Sequence, residues 1–503
     1  MSVRPLALAA VCLLAAACEP PAPPKRPSPP ESSPPGASPR AAVAPPPADP
    51  LGPKPEPAAP APYVPDAPRV RTLKSGLTVW VLERHAVPLV SMTLVVPGGA
   101  ARDPRGKHGL AAITANMLDE GAGRRGALDL ARHFESLGAE LSTGATADYS
   151  FAQLTVLKRN LRAVWPAYVD VFAKPSLLPA DFARVRELWR NELKARRAEP
   201  EDVARVAGLA LHYGLDHPYG HPPEGTLRGA AAITVADVAA EYARAYRADV
   251  ATLVIVGDVA DADLTALEPE LDRFARGAAP RGAAPPAREV PPAPAPVRRR
   301  VVVVDRPGAP QSVVSLLLPA VPAGHDEAPL LSRANIALGG SFTSRLNQDL
   351  REERGLTYGA SSRLSFSRGA GVFVAHAAVQ TDKTQEALAA LMADVVAYAH
   401  GGPTPAETEK TRLVARADLV EAFEGVSPAS SRLARLAGVG LPHDHDTRTS
   451  PRRDGATRAE LADAARRWLD PTRGAVLVVG PKATVLKALE PLKLGPAETL
   501  TIE

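Results

Sequence analysis

At 503 residues and 45% apolar content, the chain is long enough for more than one domain with a sizeable core. Its net charge of +4 is spread over many arginines and acids, and aromatics make up only 4%. A nucleic-acid-binding face needs clustered basic residues interleaved with aromatics; the one compact basic run, Arg298–Arg300, adjoins a proline-rich stretch, so that class is set aside.

The chain opens on a targeting segment, 1–18. Arg4 gives a positive start, Leu6–Ala17 is a short apolar run, and Ala15-Ala16-Ala17 precede Cys18. Such a run is a signal-peptide core, too short to cross a bilayer as a helix. Small residues directly before a cysteine resemble a bacterial lipobox, which predicts lipidation of Cys18 and a membrane tether. Ala15 stands where that motif usually has Leu. An ordinary cleaved signal with an incidental cysteine is the alternative. The lipobox reading places the protein in the bacterial cell envelope, facing the periplasm, and Glu19 suits outer-membrane sorting. Cys12 lies inside the signal and no cysteine follows Cys18, so the mature chain is expected to hold neither a disulfide nor a thiolate metal site. Residues 19–68 contain 21 prolines among 50, the composition of an extended, disordered spacer.

Folding is expected from 69 onward. Leu77–Leu82 and Leu89–Val96 are apolar and β-branched and read as strands, the second closed by Pro97-Gly98-Gly99. Ala127, Leu130, Ala131, Phe134 and Leu137 make one apolar helical face, and Phe182, Val185, Trp189 and Leu193 another. Between them Leu141–Leu157 alternates like strands, and Ala251–Val256 is a short buried strand ended by Gly257. The order then recurs: Val301–Asp305 and Ser312–Leu318 read as strands, and Ala475–Val479 as a last one ended by Gly480. VPLVSMTLVVP (87–97) aligns without a gap on APQSVVSLLLP (309–319), and TLVIVG (252–257) on AVLVVG (475–480). The prediction is an α+β protein of two homologous units of about 200 residues, 69–276 and 298–503, joined by a Pro/Ala-rich linker over 277–297.

Two segments bear on chemistry. Leu350–Ser361, LREERGLTYGAS, sets Arg351 and Tyr358 seven positions apart in a helix–Gly–strand context, with Gly339-Gly340-Ser341 upstream. The other is Gly109–Gly121, GLAAITANMLDEG. With the HPYGHPPEGT run at 217–226 and the two similar halves, these segments resemble the pitrilysin/insulinase (inverzincin) family of zinc metallopeptidases over nearly all of 70–490. The resemblance implies two α/β-sandwich units that form half of a clamshell peptidase chamber. It also implies an H-x-x-E-H helix, in which two His bind Zn²⁺ and the Glu activates water. Here the two His positions fall on Ala112 and Asn116 and the Glu position on Ala115, and no H-x-x-E-H occurs anywhere in the chain. The family's downstream Glu ligand corresponds to Glu192, whose plain reading is a helix carboxylate paired with a nearby Arg. No zinc is therefore expected in this chain.

In family members that work as pairs, one subunit carries the zinc motif and the other an Arg/Tyr pair, here matched by Arg351 and Tyr358. Both are donors that can hold a scissile carbonyl and its developing oxyanion. Gly339, Gly340 and Ser341 would leave room for a substrate backbone. The resemblance thus implies a non-catalytic, substrate-binding subunit supplying the pair in trans to a partner that bears H-x-x-E-H and the zinc, with an extended peptide added to a sheet edge. Taken singly, Arg351 reads as a solvated helix charge and Tyr358 as a strand-edge aromatic. Two other readings stand beside this one: a structural or binding lipoprotein that performs no hydrolysis, and a stand-alone metalloendopeptidase with unusual ligands such as His108, His133 and Glu192. His443-Asp444-His445-Asp446 reads as a solvated loop rather than a metal cluster, and His212, His217 and His221 as packing and turn residues.

Overall fold

The computed structural model describes residue 58 and residues 60–277, 290–293 and 299–500. The signal segment, Cys18 and most of the proline-rich stretch lie outside the described residues. Two six-stranded sheets organise the rest. The first runs, edge to edge, Arg69–Thr72, Thr78–Glu83, Thr252–Gly257, Leu89–Pro97, Tyr149–Leu157, Glu140–Ala145. The second runs Ala497–Thr499, Arg300–Asp305, Ala475–Gly480, Gln311–Ala320, Gly371–Gln380, Thr357–Phe366. In both, the second and third strands are parallel and the following pairs antiparallel. The passages aligned in the sequence, Leu89–Pro97 with Gln311–Ala320 and Thr252–Gly257 with Ala475–Gly480, occupy equivalent positions. The far edge differs, since Arg69–Thr72, at the start of the first half, pairs antiparallel there, whereas Ala497–Thr499, which follows the last central strand, pairs parallel.

Unbroken burial along the central strands Leu89–Pro97, Thr252–Gly257, Gln311–Ala320 and Ala475–Gly480 means that both faces of each sheet are covered. On one face each half uses its own helices. In the first, Leu161–Ala173 inserts Trp165, Tyr168 and Phe172 into the core, and the Tyr168 hydroxyl accepts from Leu94 N at 3.1 Å and donates to Ala152 O at 2.8 Å. In the second, Thr384–Gly401, Ala328–Asn335 and Arg458–Trp468 do the same.

The opposite faces are covered by exchange. Helix Val426–Gly438, from the second half, lays Val426, Leu433 and Leu436 on Trp80, Val95 and Val254 of the first sheet. Helix Pro200–Tyr213, from the first half, lays Val203, Ala207 and Leu211 on Val302, Leu317 and Leu477 of the second. Each large apolar side chain so buried contributes about 1.5–3 kcal/mol. Both helices approach closely at a glycine: a Cβ on Gly208 would stand 2.9 Å from Leu317, and one on Gly438 2.1 Å from the Tyr149 ring. The first contact also has a polar strip, where Thr93 meets Ser430 at 2.8 Å and Gln153 donates to Ser431 at 3.1 Å.

Three expectations shift. The end of the 19–68 spacer is docked, since Ala61 O accepts from Arg416 at 2.6 Å, Pro65 O accepts from Thr447 at 2.8 Å, and Tyr63 packs beside Trp80. Part of the 277–297 linker is docked too, with Val290 and Ala293 against the second sheet. Finally, the His443–Asp446 run is not wholly a solvated loop. A helix begins at His445, and buried Asp446 accepts two bonds from Arg432 at 2.6 and 2.7 Å, an ion pair that offsets the cost of burying a carboxylate under packed helices. Among the described residues no helix is long and apolar enough to cross a membrane.

Candidate functional site

Helix Leu110–Asn116 of the first half carries the segment that the resemblance sets against a metal-binding helix. Helix Leu110–Asn116 starts at Gly109, whose φ of +102° suits glycine, and its free N–H groups are met by Asp103. That carboxylate accepts from Gly109 N at 2.5 Å and Ala111 N at 2.9 Å, and burial pushes its carboxyl up to about 7 against the pull of those bonds. On the helix Ala112 is half-buried, Ala115 fully buried and Asn116 exposed. Glu192 is exposed and accepts from Arg196 at 2.7 Å, one helical turn on. The ad hoc set is not assembled either: His108 stacks on His221, ring centroids 4.0 Å apart, instead of meeting His133 and Glu192. Among the described residues no three His, Cys, Asp or Glu side chains converge on one point. Alanine and a lone amide cannot hold zinc, so these residues do not fit the ion.

The His108–His221 stack makes a pH prediction. Burial, then the neighbouring His108, hold His221 down to about 4, and burial holds His108 below its usual value. A native pKa below the unfolded value means that the stability difference is complete above about 6.5 and is lost as pH falls toward 4. Asp103 acts with the opposite sign, so total stability against pH mixes the two. The difference between wild type and His221→Gln isolates the histidine. By urea unfolding it is expected to shift by about 3 kcal/mol in favour of the variant between pH 7 and pH 4. A pH-independent difference would contradict a neutral buried ring.

The HPYG run clasps the halves together. His217 Nδ1 accepts from Tyr219 N at 3.0 Å and its Nε2 faces Pro291 O at 2.9 Å, which ties the loop to the linker. The Tyr219 hydroxyl donates to buried Asp148 and accepts from Gly369 N at 3.2 Å, bridging both sheets' hairpins. His212 faces Gly371 O at 3.3 Å. All three histidines take the packing and turn roles that their sequence context suggests.

The second half presents donors instead. Arg351 lies on a π-helical turn, Gln348–Glu353, packed against the strand Thr357–Phe366 that carries Tyr358. Gly355, at φ +62°, reverses the chain so that Gly355 N reaches Arg351 O at 3.1 Å and Leu356 N reaches Leu350 O at 2.8 Å. The strand register slips between Thr357 and Ala360, a bulge stitched by Thr357 Oγ1 to Gly359 O and Ala378 O at 3.0 and 2.7 Å. Bulges re-aim side chains, and Tyr358 is left 91% exposed. Arg351 is half-exposed, 3.3 Å from Glu352 and 4.7 Å over the ring of Phe342.

Two asparagines hold this edge. Asn335 donates to Ser362 O at 3.0 Å and accepts from Ser362 Oγ at 2.6 Å, while Asn347 Oδ1 accepts from Ala360 N at 3.2 Å. Gly339 is buried against the same strand, where its Cβ would lie 2.3 Å from Ser362 Oγ. Its bareness therefore serves helix–strand contact. Gly340 is exposed, yet a Cβ there would stand 3.0 Å from the Asn335 amide nitrogen, and half-buried Ser341 donates to Ile336 O at 3.1 Å. Phe342, Asn335 and Asn347 were not singled out from the sequence. Phe342, a large aromatic between Ser341 and Thr343 in a polar loop, carried a usable signal; the asparagines did not.

Comparison with known proteins places this geometry. Residues 79–214 match the family description "Insulinase (Peptidase family M16)", and residues 232–414 match "Peptidase M16 inactive domain". A protein of Mycobacterium bovis described as an uncharacterized zinc protease is 29% identical over 431 residues, covering 84% of this chain and 95% of its own. A solved peptidase M16 inactive domain from Pseudomonas fluorescens superposes with a TM-score of 0.75 at 22% identity, over 82% of this chain and 98% of that one. A chain of complex III2 from Candida albicans superposes with a TM-score of 0.67 at 13% identity, over 84% and 97%. The last two likenesses concern the fold.

Proposed function

Because the chain belongs to the M16 peptidase family, we propose that it is a non-catalytic, substrate-binding subunit of a two-chain zinc metallopeptidase. The observation that carries this reading is the division of labour between the halves. The zinc-motif positions Ala112, Ala115 and Asn116 offer no ligand set, while half-exposed Arg351, on the helical turn Gln348–Glu353, and exposed Tyr358, on the edge strand of the second sheet, are both donors. The partner is an M16 subunit that bears H-x-x-E-H and its zinc. This chain's own contribution is binding and charge: the Arg351 guanidinium and the Tyr358 hydroxyl donate to the scissile carbonyl of an extended peptide and hold its oxygen as negative charge develops. Phe342 keeps the guanidinium from folding back into solvent. Cys18, when lipidated, would tether the subunit to the cell envelope, facing the periplasm at the outer membrane.

A second reading, a structural or binding lipoprotein without hydrolysis, draws support from the likeness to a chain of complex III2. One experiment separates the two. The full chain, purified without chelator, is expected to hold far less than one zinc per chain and to cleave nothing alone. An H-x-x-E-H-bearing M16 protein of the same organism is expected to gain turnover when this chain is added. No gain would favour the structural reading, and about one tightly bound zinc per chain would overturn both.

A further inference from the structure

Neither donor of the pair is well fixed by its own side chain. Tyr358 is almost wholly in solvent, and Arg351 meets Glu352 where both are half-exposed, a contact worth little. Their positions are set by what lies behind them. For Arg351 that is the ring of Phe342, and for Tyr358 it is the backbone of the bulge between Thr357 and Ala360. The Phe342 ring is itself exposed, so its loop is held through the main chain.

Both supports meet at one side chain, Asn347, which is only 4% exposed. Its Nδ2 donates to Phe342 O at 2.7 Å, and its Oδ1 accepts from Ala360 N at 3.2 Å. One neighbour can only accept and the other only donate, so a single orientation of the amide satisfies both. The base beneath it is firm. Asn347 ends the turn Arg345–Asn347, whose Leu346 lies in the core of the second half, and Arg345 grips Glu407 with two bonds of 2.6 and 2.7 Å. Thr357 ties the bulge to the neighbouring strand at Ala378 O, and Asn347 ties it, two residues beyond Tyr358, to this turn.

We propose that Asn347 is a positioning residue that holds the Phe342–Arg351 stack and the Tyr358 bulge in one fixed relation, so that both donors address the same carbonyl oxygen. The inference rests on the substrate-binding reading above and adds the residue that makes the two donors a unit. Asn347→Asp separates its two bonds. A carboxylate still accepts from Ala360 N, but it sets a second acceptor against Phe342 O, so the change releases the Arg351 side alone.

Steady-state kinetics of the reconstituted pair test it, on a quenched-fluorescence decapeptide selected from a random library by the wild-type pair. Asn347→Asp is expected to lower kcat/KM about tenfold, through the same constant, kcat or KM, that Arg351→Ala changes. Phe342→Leu should do likewise, at an exposed position whose change leaves the fold alone. In an Arg351→Ala chain Asn347→Asp should cost nothing further, because the donor it positions is gone. In a Tyr358→Phe chain it should keep its full effect. A merely structural role would cost activity in both backgrounds, and that result would overturn the proposal. So would wild-type kinetics of Asn347→Asp or of Phe342→Leu beside a slowed Arg351→Ala. Wild-type turnover in Arg351→Ala itself would instead end the substrate-binding reading, and this role with it, so the two failures are told apart.

Discussion

Arg351→Ala and Tyr358→Phe are each expected to lower kcat/KM of the reconstituted two-chain peptidase by about 10²–10³-fold, with the fold and melting temperature unchanged. The size follows from position. A donor to a developing oxyanion in a site closed from water is worth ~3–4 kcal/mol in the transition state. The absence of a structural effect follows from exposure: Tyr358 is almost wholly in solvent, and among the described residues the Arg351 side chain meets only Glu352 and the face of Phe342 in a polar or ring contact. If Arg351 acts mainly on charge developed in the transition state, the loss falls on kcat and Arg351→Lys restores part of it. If it acts only by gripping the substrate, KM rises and kcat holds. Wild-type turnover in both variants would end the role assigned to the pair.

The largest loss of stability is expected far from these donors, at Arg333→Met. This guanidinium is buried, yet every arm is used: Nη1 donates to Arg453 O at 2.7 Å, Asp454 O at 2.8 Å and Ala456 O at 3.2 Å, Nη2 to Thr408 O at 2.9 Å, and Nε to Thr411 Oγ1 at 3.3 Å. It gathers the end of helix His445–Gly455 and the start of Pro405–Glu424 onto Ala328–Asn335. Methionine matches the stem's volume but orphans several buried carbonyls, at a cost of about 3–5 kcal/mol. Urea midpoints at constant m would read it. A loss under ~1 kcal/mol would mean that water or a shifted loop replaces the fork. Two residues on, Asn335 braces the strand that carries Tyr358, so this variant should also weaken the site.

Much of the architecture was legible because its signals were local. The Phe182, Val185, Trp189 and Leu193 stripe is buried as its spacing demands, and the gapless match of 87–97 with 309–319 located two equivalent central strands. The alanines at 112 and 115 were equally plain, since a side chain without donor atoms needs no coordinates. What stayed hidden was whatever depends on a distant partner. That His108 would find His221, that Tyr219 would reach across to Gly369, and that Gly339 serves contact with Ser362 are long-range facts with no periodicity to announce them. The docking of 60–68 was masked by proline content, which argues for a spacer until Arg416 and Thr447 capture its carbonyls.

The exchanged helices also constrain how the molecule can come into being. The first sheet is complete once the chain reaches Gly257, but the helix that shields Trp80, Val95 and Val254 begins only at Val426, about 170 residues later. At ribosomal rates that interval lasts roughly 10–30 s, during which an apolar sheet face stands open and aggregation-prone. Neither half can be expected to mature by itself, and a cut at the linker should give two fragments that fold only in each other's presence. For this chain the duplicated units are two folds in sequence but interlocked in assembly, and the first sheet is covered only when a helix made about 170 residues after it arrives.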